Sequence, residues 1–136
     1  MTASSPTASA KELVRAFVEI LGGERKGRLL DLFAEDAWVH TTGSSCVSAK
    51  RRPQEFLTML RELSTVIPQG LRLEIRSLIG EGDQAACEVL GTSTTADGRA
   101  YNNHYVFWVR AVQGRIVLLS EFMDSRLAHE IFQPAA

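Results

Sequence analysis

One acid stands out by its company. In the run Arg115–Met123, alternate residues share a face if the run is a strand. That puts Glu121 in a row with Val117, Leu119 and Met123. In the run before it, Tyr101–Val112, Arg110 belongs to water, which sends Asn103, Tyr105, Phe107 and Val109 to the opposite, inward side. Gln113-Gly114 between the two runs reads as a tight hairpin turn, so Glu121 and Asn103 or Tyr105 fall on one inner face. A carboxyl group surrounded by hydrocarbon loses hydration when it ionises, which favours its protonated form. Such a group suits a proton donor or shuttle near neutral pH. A phenol and an amide can orient a carbonyl or an enol. The set points to Glu121 as a general acid/base, with Tyr105 and Asn103 positioning a small substrate. The competing reading is a structural acid satisfied by a neighbouring hydroxyl or amide, and the residues alone leave both open.

The remaining reactive residues offer less. His40 and His104 have the opposite parity and read as surface or interface histidines, and His129 reads as solvent-facing. Three scattered histidines without a carboxylate at fixed spacing do not make a metal site. Cys46 and Cys87 form no CxxC or Cys/His spacing and read as two reduced thiols, with Cys87 in a strand core. Asp124 reads as the N-cap of a closing helix. There is no glycine-rich phosphate loop and no serine on a nucleophile elbow. No cofactor is expected.

The elements that must position Glu121 are legible in order. Residues 1–8 are rich in Ser, Thr, Ala and Pro and read as a disordered tail. Residues 9–133 form a single domain. Ser9-Ala10-Lys11-Glu12 fits a capping box, and Leu13, Val14, Phe17, Ile20 and Leu21 make a helical stripe that Gly22-Gly23 ends. A second short helix carries Leu29, Leu30, Leu32 and Phe33. Ala37–Thr41 is a short strand, and Gly43–Lys50 a polar loop and candidate lid. Pro53 opens a third helix with Phe56, Leu57, Leu60, Leu63 and Ile67 on one face. Strands follow at Leu71–Arg76, Ala85–Thr95, Tyr101–Val112 and Arg115–Met123, then a helix at Ser125–Phe132. Helices first and hairpin-joined strands afterwards give an α+β fold, with a strongly curved, mostly antiparallel sheet wrapped around three N-terminal helices as a cone-shaped barrel. Its interior suits a small apolar ligand.

Composition bounds the partners. The chain has 136 residues, 15 Lys+Arg against 16 Asp+Glu, and 45% hydrophobic residues. Near-balance of charge argues against nucleic acid as a partner. No apolar run approaches the about 20 residues that span a bilayer, and the N-terminus lacks a secretory signal. A cytoplasmic location is expected.

The order of elements, with Phe33-Ala34-Glu35-Asp36-Ala37 running into a strand and Gly114-Arg115-Ile116-Val117 opening the last one, resembles the nuclear transport factor 2-like superfamily. Within it the chain is similar to SnoaL-like and ketosteroid-isomerase-like proteins. The segments Tyr101-Asn102-Asn103-His104-Tyr105 and Ser120-Glu121-Phe122-Met123-Asp124 resemble the phenazine-biosynthesis A/B proteins, and that resemblance makes Glu121 the acid/base residue. The ketosteroid isomerase positions carry over poorly: Phe17 stands where a donor tyrosine would be, Thr41 at the general base, and Phe107 at or near the second oxyanion donor. The limonene-type epoxide hydrolase set falls on Leu90, Thr92 and Glu121, which keeps one acid of three groups. The register implied by the resemblance turns Glu88, Leu90 and Thr92 inward. The expected ligand lining is Phe17, Val39, Thr41, Leu57, Leu90, Thr92, Phe107, Leu119 and Met123.

Three functions compete on these grounds. The first is a cofactor-independent isomerase, lyase or cyclase acting on a small apolar carbonyl or imine compound. The second is a ligand-binding protein without turnover, and the third an association module. Trp108, Val106 and His104 fall on the outer sheet face, which the chain's own helices do not cover. An exposed apolar patch there, together with the resemblance, implies a homodimer.

Overall fold

The computed structural model describes residues 8–134. The tail at 1–7 and the last two residues lie outside the described residues. Ala8, expected in the tail, packs partly buried against the core.

Helix α1 (Ala10–Leu21) begins where expected. The Ser9 hydroxyl accepts the Glu12 N–H at 3.2 Å, and the Glu12 carboxylate accepts the Ser9 N–H at 2.9 Å. This reciprocal pairing satisfies donors that the first turn leaves open. The expected second helix is a single 3-10 turn at Leu29–Leu32. Strand β1 (Phe33–Thr41) starts four residues earlier than expected. Strand β2 (Ala49–Arg51) overlaps the end of the segment read as a loop. It pairs antiparallel with β1, matching Val39 with Arg51 and Thr41 with Ala49. The rest of that segment is pinned rather than free. The Cys46 N–H donates to His129 Nδ1 at 2.9 Å, and the Ser48 hydroxyl to the Thr42 carbonyl at 2.9 Å. Helix α2 (Pro53–Leu63) has Pro53 in its first turn.

Strands β3 (Arg72–Glu81), β4 (Gln84–Thr94), β5 (Ala100–Val112) and β6 (Arg115–Phe122) form an antiparallel meander. Gln113 and Gly114, both at positive φ, turn β5 into β6. Helix α3 (Ser125–Phe132) closes the chain, capped by the Asp124 carboxylate, which accepts the Leu127 N–H at 3.1 Å. The six strands lie in the order β2-β1-β6-β5-β4-β3, and β1 runs parallel to β6. The sheet does not close, since β2 and β3 are free edges. Helix α1 packs across β3, β4, β5 and β6, and one apolar core fills the space between.

The strand parities carry the site. On β5, Tyr101, Asn103, Tyr105, Phe107 and Val109 are buried, while His104 and Val106 are exposed, as the alternation predicts. On β4 the inner row is Ala85, Cys87, Val89 and Gly91. Leu90 and Thr92 therefore point outward, against the implied register, and Thr92 is exposed. On β6 the expected row breaks at its start. The register shifts between Arg110 and Ala111, so Ile116 rather than Val117 is fully buried, and only from Leu119 onward does the alternation place Glu121 inside.

The thiols divide as their positions dictate. Cys46 is exposed and Cys87 is buried, and both are free. Burial pushes the Cys87 thiol up to about 11. A thiol reagent at neutral pH is therefore expected to modify Cys46 alone in the native protein, with Cys87 reacting only on unfolding. Two fast equivalents from native protein would contradict this placement.

Candidate active site

Glu121 is held between two strands. It pairs with Thr41 across the parallel β1–β6 ladder and with Phe107 across the antiparallel β5–β6 hairpin. Side chains paired across strands meet on the same face. The Thr41 hydroxyl accordingly donates to Glu121 Oε1 at 3.0 Å. Thr42 fixes the backbone behind it, its N–H at 3.1 Å and its hydroxyl at 2.8 Å from the Glu121 carbonyl oxygen. Glu121 Oε2 has no protein partner among the described residues. Burial among hydrocarbon pushes the Glu121 carboxyl up to about 7, against the smaller opposing effects of the Thr41 hydrogen bond and the Arg51 charge. The group thus sits near the point where it both gives and takes a proton at neutral pH.

Glu121 opens onto a cavity of about 370 Å³. Phe107 and Tyr105 form part of its wall, with Leu57, Leu60 and Met123 among the apolar residues around it. Leu57, Met59 and Leu60 of α2 pack against the edge of the core and are half-buried, since they also line this space. The exposed residues Arg61, Ser64 and Gly70 also line it and mark its open end, at and just beyond the last turn of α2.

A polar cluster on β5 completes the wall. Tyr105 stacks on Phe107, ring centroids 5.5 Å apart at 10° between planes. Its hydroxyl lies 2.9 Å from that of Tyr101, which also accepts from Asn103 Nδ2 at 3.1 Å. Burial raises the pKa of both phenols, so both are neutral at pH 7. Gly91 gives the Tyr105 ring its place: a Cβ there would lie 2.7 Å from Tyr105 Cε2.

The expected site residues separate into four groups. Glu121, Tyr105, Phe107, Leu57 and Met123 line the cavity together. Phe17, Val39, Thr41 and Leu119 are buried but lie behind the wall. Phe17 meets Phe33, Phe56 and Phe107, and Thr41 acts only through Glu121. Leu90 and Thr92 are on the wrong side of the sheet, as their parity with half-exposed Glu88 makes plain. Asn103 is inside but does not line the cavity, because its amide ties Tyr101 to the Asp124 backbone. Tyr101 was not singled out from the sequence, although stepping back two residues from Asn103 reaches it. Among the described residues, no three His, Cys, Asp or Glu side chains lie together as a metal site.

Three helices and an open, mostly antiparallel six-stranded sheet match the fold of the nuclear transport factor 2-like proteins. The chain belongs to the SnoaL-like domain family, which it matches over residues 14–119. No curated protein matches the sequence. Among solved structures it is similar to AclR of Streptomyces galilaeus, a proposed hydroxylase, with 17% identity, a TM-score of 0.72 and coverage of 96% of this chain and 89% of that one. It is also similar to IdmH of Streptomyces antibioticus, a proposed polyketide cyclase, with 18% identity, a TM-score of 0.73 and coverage of 90% and 99%. A Catenulispora acidiphila protein with a ketosteroid isomerase-like fold gives 17% identity, a TM-score of 0.70 and coverage of 89% and 93%. At such identities these likenesses establish the fold, and activity must be argued from the site.

Proposed function

We propose that the protein is a cofactor-independent enzyme of the isomerase, lyase or cyclase type, moving a proton on a small apolar carbonyl or imine compound with Glu121 as general acid/base. The observation that carries this reading is a single carboxyl, with Oε1 held by Thr41 and Oε2 unpartnered, bordering an apolar cavity that opens to solvent. Desolvation makes the acid form available near pH 7 and the base form a competent acceptor. The proposed cyclase and hydroxylase roles of the two Streptomyces neighbours fit a ligand with an activated carbon. The test is exchange of deuterium from solvent into an enolisable aromatic ketone, 2-acetylnaphthalene, in the wild type and in Glu121→Gln. Exchange unaffected by the substitution would remove the catalytic role. A second reading, ligand binding without turnover, draws support from the same Thr41 hydrogen bond, which also satisfies a purely structural acid. That reading expects retention of an apolar ligand with no exchange in either protein.

The proposal extends to a homodimer formed through the outer sheet face. Register brings Val106 beside Phe122, and Ile79, Ala86 and Trp108 into one cross-strand row. Val106, Phe122 and Ile79 are exposed there, and no element among the described residues covers them. A second copy would bury this patch. Sedimentation at micromolar concentration is expected to give a dimer, and Phe122→Glu a folded monomer. A wild-type monomer would contradict the proposal. The exposed reduced thiol of Cys46 fits a cytoplasmic setting.

A further inference from the structure

Among the described residues, the cavity wall carries a charged side chain at each end and none between. Phe56 and Phe107 both meet Phe17 at the floor, and Glu121, paired with Phe107, belongs to that end. At the open end stands Arg61, the one cation on the wall among the described residues. Phe56, Leu57, Leu60 and Arg61 share one side of α2. At 1.5 Å of rise per residue, Arg61 lies about 8 Å beyond Phe56 along the helix axis. Helical side chains lean toward the N-terminus of their helix, so Arg61 reaches back over the turn of Leu57 and toward the cavity. An arginine in the last turn ordinarily answers the open carbonyls there or pairs with an acid one turn away. Neither holds here. The Leu60 carbonyl accepts the Ser64 N–H at 3.0 Å, and the Leu63 carbonyl accepts the Val66 N–H at 2.9 Å. The Arg61 and Glu62 carbonyls accept the hydroxyls of Ser64 at 2.5 Å and Thr65 at 2.8 Å. The positions one turn away hold Leu57, Thr58, Ser64 and Thr65, none of them acidic. No ion pair among the described residues includes Arg61. Its planar fork of N–H donors is left without a protein acceptor among those residues, at the rim of an apolar hole.

We infer that Arg61 is a carboxylate-recognition site, and that the ligand is an amphipathic monocarboxylate whose apolar body fills the cavity while its carboxylate stays at the rim. The guanidinium fork matches the two oxygens of a carboxylate. One cation balances one negative charge, which selects a carboxylate over a phosphate dianion. The Ser64 hydroxyl beside it donates to the Arg61 carbonyl and has no hydrogen left for further oxygens. A charged head held at the wet rim keeps most of its hydration, whereas the same head carried inward would be stripped of water beside Glu121. Charge therefore orients the ligand, with the carboxylate outward and the opposite end against Glu121. This names the substrate class for the reading of Glu121 given above and rests on that reading for the chemistry, though not for the binding. Arg61 sets specificity and stays clear of the reacting atoms.

The experiment measures binding of 6-ethyl-2-naphthoate to the full chain by titration calorimetry at neutral pH, against its uncharged amide of nearly the same shape, 6-ethyl-2-naphthamide. Wild type is expected to bind the carboxylate about five- to tenfold more tightly, the low end for a charge-assisted hydrogen bond because the rim is wet. The preference should shrink as salt is raised. Arg61→Met keeps an unbranched apolar stem and a good helix former while removing the fork. It should abolish the preference and leave amide binding unchanged, which certifies an intact cavity. Arg61→Lys should keep the preference in part. Equal binding of the two compounds by wild type, a preference that survives Arg61→Met, or no binding of either compound would overturn the assignment. Glu121→Gln is expected to keep the preference. A carboxylate preference without Glu121-dependent exchange into 2-acetylnaphthalene would support the rim site while sinking the proton-transfer reading, and exchange without the preference would do the reverse.

Discussion

Glu121→Gln is expected to slow deuterium exchange into a bound ketone by about 10²–10⁴-fold, the usual contribution of a positioned general base, while ketone binding persists. Glutamine keeps the shape and can still accept from the Thr41 hydroxyl, so the loss isolates the proton-transfer step. In the wild type, exchange should rise with pH through about 7, where Glu121 ionises, and level off above it. The same substitution has a signature in stability. The native carboxyl titrates at about 7 against an ordinary 4.5, so between those values the folded state holds more protons than the unfolded one. Stability from this group is present in full below pH 4.5 and is lost as pH rises through about 7. At about 1.4 kcal/mol per pH unit, the gap amounts to about 3 kcal/mol. Glu121→Gln should therefore gain on the wild type by up to about 3 kcal/mol between pH 4.5 and 8, measured by urea unfolding. A constant difference across that range would show that Glu121 is not desolvated.

The acid itself was legible in the sequence because two independent patterns converge on it. Arg110 fixes the parity of β5, and the Gln113-Gly114 turn hands that parity to β6. The transfer worked at Glu121 and failed at Val117, since the register shift at Arg110/Ala111 puts Ile116 inside at the strand's start. A bulge of this kind leaves no mark in an alternating apolar run. On β4 both faces carry hydrophobic residues, Ala85, Cys87 and Val89 against Ala86 and Leu90, so period two alone does not say which faces the core. The answer lies in size. The inner row is small because α1 and the Tyr105 ring press on it, and Gly91 sits where a Cβ would strike that ring. The cavity was hidden for a related reason. Leu57 and Leu60 have the spacing of an ordinary buried helix face, and only the three-dimensional placement of α2 shows that they border empty space. Strand β2 escaped notice because three residues at a sheet edge are too few to show a period.

Phe17→Ala is expected to cost about 3–5 kcal/mol of stability. Phe17 is fully buried, and its ring meets Phe107 at 5.4 Å and both Phe33 and Phe56 at 6.2 Å between centroids. These partners come from β5, from the start of β1 and from α2, so one side chain of α1 joins α2 to two strands of the sheet. Residues of different elements that meet at one ring cannot collapse together to refill its volume, which places the cost high in the usual range. Against a total stability of about 5–15 kcal/mol for a domain, the expected fall in Tm is about 10–20 °C. The site reads out the same change. Phe56 and Phe107 line the cavity on their other side, so emptying the space behind them should join it to the ligand space. An aromatic hydrocarbon such as 2-ethylnaphthalene should then raise the Tm of Phe17→Ala by more than it raises that of the wild type, through binding to the folded state alone. Equal shifts in the two proteins would mean that Phe56 and Phe107 still seal the cavity floor without Phe17.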